Sequence, residues 1–81
     1  MMKYLIVVEN TKNGFSAYAP DLEGCVATGF TEEEVEQAML QAIEAHLKSL
    51  RDDGYIIPEP RCYATYIELP DKKPEEYSLG R

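Results

Sequence analysis

The run FTEEEVEQAMLQAIEAHLKSLRDDG, Phe30 to Gly54, constrains this chain most, because a helix start, one apolar face and a helix stop follow each other in it. Thr31 is a good N-cap residue, and Glu34 three positions on completes a capping box. Phe30 and Val35 stand at the spacing of a hydrophobic staple. Glu32, Glu33 and Glu34 place negative charge in the first turn, where the helix dipole favours it, so this acidic run reads as a helix start before it reads as a binding site. Val35, Ala38, Met39, Ala42, Ile43, Leu47 and Leu50 recur every three or four residues and define a single face. Gly54 supplies the stop as C′. Such a helix, of about 20 residues and about 30 Å, spans the sheet of a small domain.

The residues before it read as strands. KYLIVV, Lys3–Val8, is β-branched, aromatic and apolar at successive positions, which predicts a central strand covered on both faces. NTKNG, Asn10–Gly14, forms a turn whose Asn-Gly pair tolerates positive φ, and FSAYA returns as the second strand of a hairpin. Pro20, Asp21 and Gly24 make a second turn into CVATG. After the helix, YIIPEP runs extended because its prolines bar a helix, and RCYATYIEL, Arg61–Leu69, alternates as a fourth strand. The expected fold is therefore α+β, a two-layer βββαβ arrangement with one long helix and a four-stranded mixed sheet in the order 3-2-1-4. Residues 1–69 form the domain, and 70–81 form a tail with little to bury.

One helix covers one face of that sheet. Leu5 and Val7 point away from Tyr4, Ile6 and Val8, so the second face requires another protein chain, and the protein is expected to be at least a homodimer with Leu5 and Val7 at the contact. The length agrees: at 81 residues a single core is only just sufficient, and association commonly supplies the rest.

Charge excludes one class of partner. With 15 acidic and 8 basic residues the net charge is −7, whereas a nucleic-acid binder shows a basic face. The balance suits a basic protein partner, or simply solubility. The apolar run in MMKYLIVV is too short for a signal peptide or a membrane span, so a cytoplasmic location without membrane contact is expected, with Cys25 and Cys62 as unpaired thiols on opposite edge strands.

Candidate chemistry centres on YAPDLEGCVATG, Tyr18–Gly29. A nucleophilic Cys25 needs a base within reach, and the single histidine, His46, lies toward the far end of the helix, which this reading sets far from Cys25. Two cysteines and one histidine without metal-ligand spacing hold no metal. No catalytic residue or cofactor is expected. Asp21 reads as a turn residue bonding its own backbone and Gly24 as the source of φ freedom. Because the turn sits at the sheet rim, Asp21, Leu22 and Glu23 are the candidate partner contacts. His46 reads as a residue at the helix boundary, and Tyr18, Tyr55, Tyr63 and Tyr66 as core and interface aromatics.

These pieces carry a resemblance. GFSAYAPDLEGCVATGFTEEEVEQAMLQAIEAHLKSLRDDGYIIPEP resembles the HicB-like antitoxin family in its Gly-x-x-Ala strand, Pro-Asp-Leu-x-Gly-Cys turn, Gly-x-Thr helix start and Pro-x-Pro exit. The matching positions are Gly14, Ala17, Pro20, Asp21, Leu22, Gly24, Cys25, Gly29, Thr31, Glu34, Ala42, Ile43, Gly54, Pro58 and Pro60. The resemblance implies a partial ribonuclease-H-like βββαβ fold and a domain that binds and inhibits a small basic ribonuclease toxin of the HicA type. Many members carry a C-terminal DNA-binding segment. Here only twelve of 81 residues follow Leu69, so the chain reads as a short stand-alone member without direct nucleic-acid binding. A stand-alone, self-associating structural or ligand-sensing module with no toxin partner remains the alternative. The implied fold does not bring nuclease chemistry with it: a two-metal site needs a carboxylate within the first strand, and KYLIVV has none, with Glu9 and Glu68 only at strand ends.

Overall fold

Residues 2–71 are described by a computed structural model of the chain. Three short antiparallel strands precede one helix: β1 Val7–Asn10, β2 Phe15–Tyr18, β3 Val26–Gly29 and α1 Glu32–Asp52. The sheet order is β1-β2-β3. Val8 pairs with Ala17 and Ala17 with Ala27, and this row faces the helix; the next row, Val7–Tyr18–Val26, faces the other way.

The β1–β2 hairpin closes with the Thr11 N–H donating to the Gly14 carbonyl at 2.8 Å. Its glycine is needed for a different reason from the one its Asn-Gly pair suggests. Among the described residues only Gly24 and Gly54 have positive φ; at Gly14 a Cβ would lie 2.4 Å from the Gly29 carbonyl oxygen, so the position is set by close backbone approach. In the β2–β3 turn Gly24 does take φ +79°, and main-chain bonds from Ala19 to Cys25, Leu22 to Ala19 and Cys25 to Leu22 fix the loop.

At the helix start the Thr31 Oγ1 accepts from the Glu34 N–H at 3.0 Å, as expected. The reciprocal bond is displaced: Glu34 Oε1 accepts from the Phe30 N–H at 2.9 Å, one residue before the cap. Phe30 is left 78% exposed while Val35 is fully buried, so the expected staple does not close. The helix ends in a Schellman motif, with Gly54 at φ +80° donating to Arg51 and Tyr55 donating to Leu50.

The helix lies over β3 and β2. Between them sits a small core of Ala17, Ala19, Leu22, Cys25, Val35 and Met39, with Tyr4, Ile6, Val8, Phe15, Ala27, Ala42, Ile43 and Leu47 half-buried at its margin. The helix face drawn from spacing is thus the face that packs.

The expected fourth strand is missing from the described sheet. Arg61–Leu69 has no ladder partner and every residue in it is exposed, so the four-stranded mixed sheet in the order 3-2-1-4 is corrected to three antiparallel strands. Alternation and β-propensity describe a segment suited to a pleated, half-buried surface; they do not supply the neighbour. β1 also begins later than Lys3, at Val7, because the residues before it have no paired strand beside them. The expected tail, 70–81, lies outside the described residues from Lys72 onward. No helix among the described residues is long and apolar enough to cross a membrane.

Candidate functional site

The helix is joined to the end of β3 by Phe30 and Thr31 alone, so it folds back along β3 and brings its last turns over the β2–β3 turn. An open groove of about 790 Å³ lies there. Leu50, Tyr55, Ile56 and Pro58 form its apolar wall, and Asp21, Glu23 and His46 its polar one. This corrects the placement of His46. It shares a groove with the turn that leads into Cys25, because an antiparallel helix returns to the start of the strand it leaves. Burial disqualifies Cys25 as a nucleophile, since the thiol is enclosed in the core and desolvation pushes its pKa up.

The three rim residues named from sequence have three different situations. Leu22 is 1% exposed, its side chain filling the core rather than facing outward. Asp21 does not bond its own turn: its Oδ2 accepts from the Arg61 N–H at 2.8 Å and the Cys62 N–H at 2.9 Å, tying the returning chain to the sheet. Glu23 is the one of the three that is exposed, and it lines the groove. A second tie lies beside the first, where the Tyr4 hydroxyl donates to the Pro58 carbonyl. Burial, then the charges of Asp21 and Glu59, push the Tyr4 hydroxyl up.

The amides of Cys62 and then Arg61 hold the Asp21 carboxyl below the usual range. A carboxyl depressed in the folded state stabilises it above the unfolded pKa, near 3.9, and that contribution disappears as pH falls through the lower folded value. The Arg61 and Cys62 amide resonances should therefore hold constant from pH 7 to about 4 and move together below it. Asp21→Asn should remove that shared low-pH transition; its persistence in the variant would show that another group controls it.

Cys25 and Cys62 are both free thiols. They do not occupy opposite edge strands, since the Cys62 amide is bound to Asp21 in the turn preceding β3. The hydrogen bond to Asp21 pushes the Cys62 thiol up as well. Among the described residues no group of three or more His, Cys, Asp or Glu is placed to hold a metal. Leu5 and Val7 stand apart from the core-facing row, half-buried, with Tyr18 and Val26 exposed beside Val7 in register. Tyr18, Tyr55, Tyr63 and Tyr66 are all exposed, so none is a core aromatic.

The groove's apolar wall was not recognised from sequence. Its signal is the YIIP run placed directly after the Gly54 stop, where a chain reversal carries apolar residues back beside the helix end.

Residues 4–77 match the family described as HicB_like antitoxin of bacterial toxin-antitoxin system. A UPF0150 protein of Helicobacter pylori strain J99 is 40% identical over 47 residues, 58% of this chain and 65% of that protein's length. Among solved structures, a chain of a HicA3 and HicB3 toxin-antitoxin complex is similar with TM-score 0.60 and 28% identity over 91% of this chain and 74% of that one. The HicB3 antitoxin crystal structure is similar with TM-score 0.63 and 28% identity, over 91% of this chain and 47% of that one.

Proposed function

The chain belongs to the HicB-like antitoxin family, and from that premise we propose that it is a non-catalytic protein-binding domain that binds and neutralises a small basic mRNA-cleaving toxin of the HicA type in the cytoplasm. The observation that carries this reading is the groove between the β2–β3 turn and the end of α1. It offers an apolar wall with two carboxylates at its rim on a chain of net charge −7. A basic partner gains on-rate and specificity from such a surface, while apolar contacts inside the groove supply affinity. Asp21 and Glu23 are the proposed rim contacts, and Leu22 acts by holding the turn in shape. The half-exposed carboxylate of Asp21 already accepts two amides, which leaves Glu23 as the stronger electrostatic contributor.

Titration calorimetry with a HicA-type protein should give a stable complex, and Glu23→Lys should weaken it about tenfold or more, chiefly at low salt. A wild-type chain that neither binds that protein at micromolar concentration nor reduces its RNA cleavage would overturn the reading.

A second property is proposed alongside it, self-association. The observation favouring it is the apolar row Val7–Tyr18–Val26, extended by Leu5, on the sheet face that the helix leaves uncovered.

A further inference from the structure

Three unsatisfied features lie together along one side of the sheet. β1 is an edge strand paired only to β2 among the described residues, so its other side offers main-chain N–H and C=O groups without ladder partners. The side chains along that edge and in residues 4–6, which lead into it, are only partly covered on either face: Tyr4, Ile6 and Val8 lie at the margin of a helix centred over β2 and β3, and Leu5 and Val7 are half-buried on the outer side. The third feature is Arg61–Leu69. It carries Tyr63, Tyr66, Ile67 and Leu69 at 83%, 96%, 79% and 63% exposure, an apolar load that one chain leaves in water.

We propose that Arg61–Leu69 is an exchange arm: in a dimer of this chain, each copy's arm adds as a fourth strand to the free edge of the other copy's β1. The proposal rests on the self-association stated above and names the element that makes it.

Alternation fits the edge on both sides. In an extended strand Tyr63, Ile67 and Leu69 share one face and Ala64 and Tyr66 the other. Added beside β1, the first set completes the cover over Tyr4, Ile6 and Val8, and Tyr66 lies beside Leu5 and Val7. Both rows of the arm find apolar neighbours, and the edge finds its hydrogen bonds.

Charge selects a second copy over a basic partner as the occupant. Within the arm Arg61 and Glu68 cancel, so the whole net charge of −7 resides elsewhere in the chain. The arm is thus a stretch that approaches an acidic second copy without like-charge repulsion, whereas a basic protein is drawn to the carboxylates of the groove. Area supports the same occupant. Two tyrosines offering about 200 Å² each and two aliphatic side chains of about 100 Å² each give roughly 500 Å² per arm after partial exposure. Two arms reach about 1,000 Å² before the receiving edges are counted, the scale of a specific interface.

The arm does not serve its own chain in this way. Asp21 holds Arg61 and Cys62 at the turn end of the sheet, and Cys62–Ala64 then pass Lys3–Ile6 across an open gap of about 530 Å³ without a ladder bond. Every residue from Arg61 to Pro70 stays exposed.

Light scattering on the full-length chain at micromolar concentration should read twice the chain mass, and Ile67→Asp/Leu69→Asp should halve it. Both positions are exposed, so the helix signal in circular dichroism should be unchanged. In a mixture of isotope-labelled and unlabelled chains, contacts between the Tyr63 ring and the Ile6 or Val8 methyl groups should appear between chains. A dimer that persists in the double variant overturns the arm while leaving self-association standing. Contacts found only within one chain place the arm on its own β1 and also overturn it. A monomeric wild type removes both.

Discussion

Replacing Leu22 by Ala is expected to unfold most of the chain at room temperature. Its side chain is one of three large ones that are completely enclosed, with Val35 and Met39, and the rest of the core is Ala17, Ala19 and Cys25. Removing a buried leucine costs about 2–5 kcal/mol through lost transfer energy and the cavity left behind. A single core in a chain of this size supplies about 3–5 kcal/mol, so the two are comparable. The main chain of Leu22 is engaged too, its N–H donating to Ala19 and its carbonyl accepting from Cys25, which limits how far the turn can collapse into the cavity. Urea denaturation followed by the helix signal is the measurement. Leu22→Met, which keeps the volume, should cost less than about 1.5 kcal/mol. A Leu22→Ala chain with a midpoint close to wild type would mean that the turn is not part of the core.

Gly29→Ala should separate the helix from the sheet it packs on. A Cβ at Gly29 would lie 2.6 Å from the Val35 backbone nitrogen and 3.0 Å from Glu34, contacts that main chain cannot yield by rotating a side chain. The helix start must then shift, and the shift strains the Thr31 cap and the buried Val35 together. Overpacking of this kind costs about 1–3 kcal/mol, and loss of the cap adds about 1 kcal/mol. Thermal denaturation should show a drop of many degrees, since in a domain of 60–100 residues about 1 kcal/mol moves Tm by roughly 4–8 °C. Gly14→Ala presses on a different place, the Gly29 carbonyl oxygen at 2.4 Å, but both substitutions displace the Gly29 main chain, so the double substitution should depart from the sum of the two singles. Full additivity would show that the two clashes are relieved independently.

The helix was legible almost to the residue, because Thr31, Glu34 and Gly54 are local signals that act through main-chain bonds within a few positions. The second and third strands were legible for the same reason, being bounded by turns whose chemistry is local. Arg61–Leu69 was read as a strand from its own side chains, yet a strand is defined by its neighbour, which no alternation specifies. The candidate site was half legible. Composition and turn position pointed to Asp21 and Glu23 at the rim, but Asp21's partners lie 40 and 41 positions away in sequence, beyond any local pattern. The burial of Leu22 and the return of His46 to the groove follow from helix direction, a tertiary property.

The order in which the elements contact one another also bears on synthesis. β1 meets β2, β2 meets β3, and the helix packs on the two strands just before it and closes with the Tyr55 N–H, so the sheet and helix need nothing encoded after Tyr55. Sequence-local contacts of this kind form quickly, and a chain leaving the ribosome folds N-terminal units first. The body thus does not depend on the amides that Arg61 and Cys62 donate to Asp21, and those contacts fasten the returning segment onto a surface that the earlier residues make by themselves.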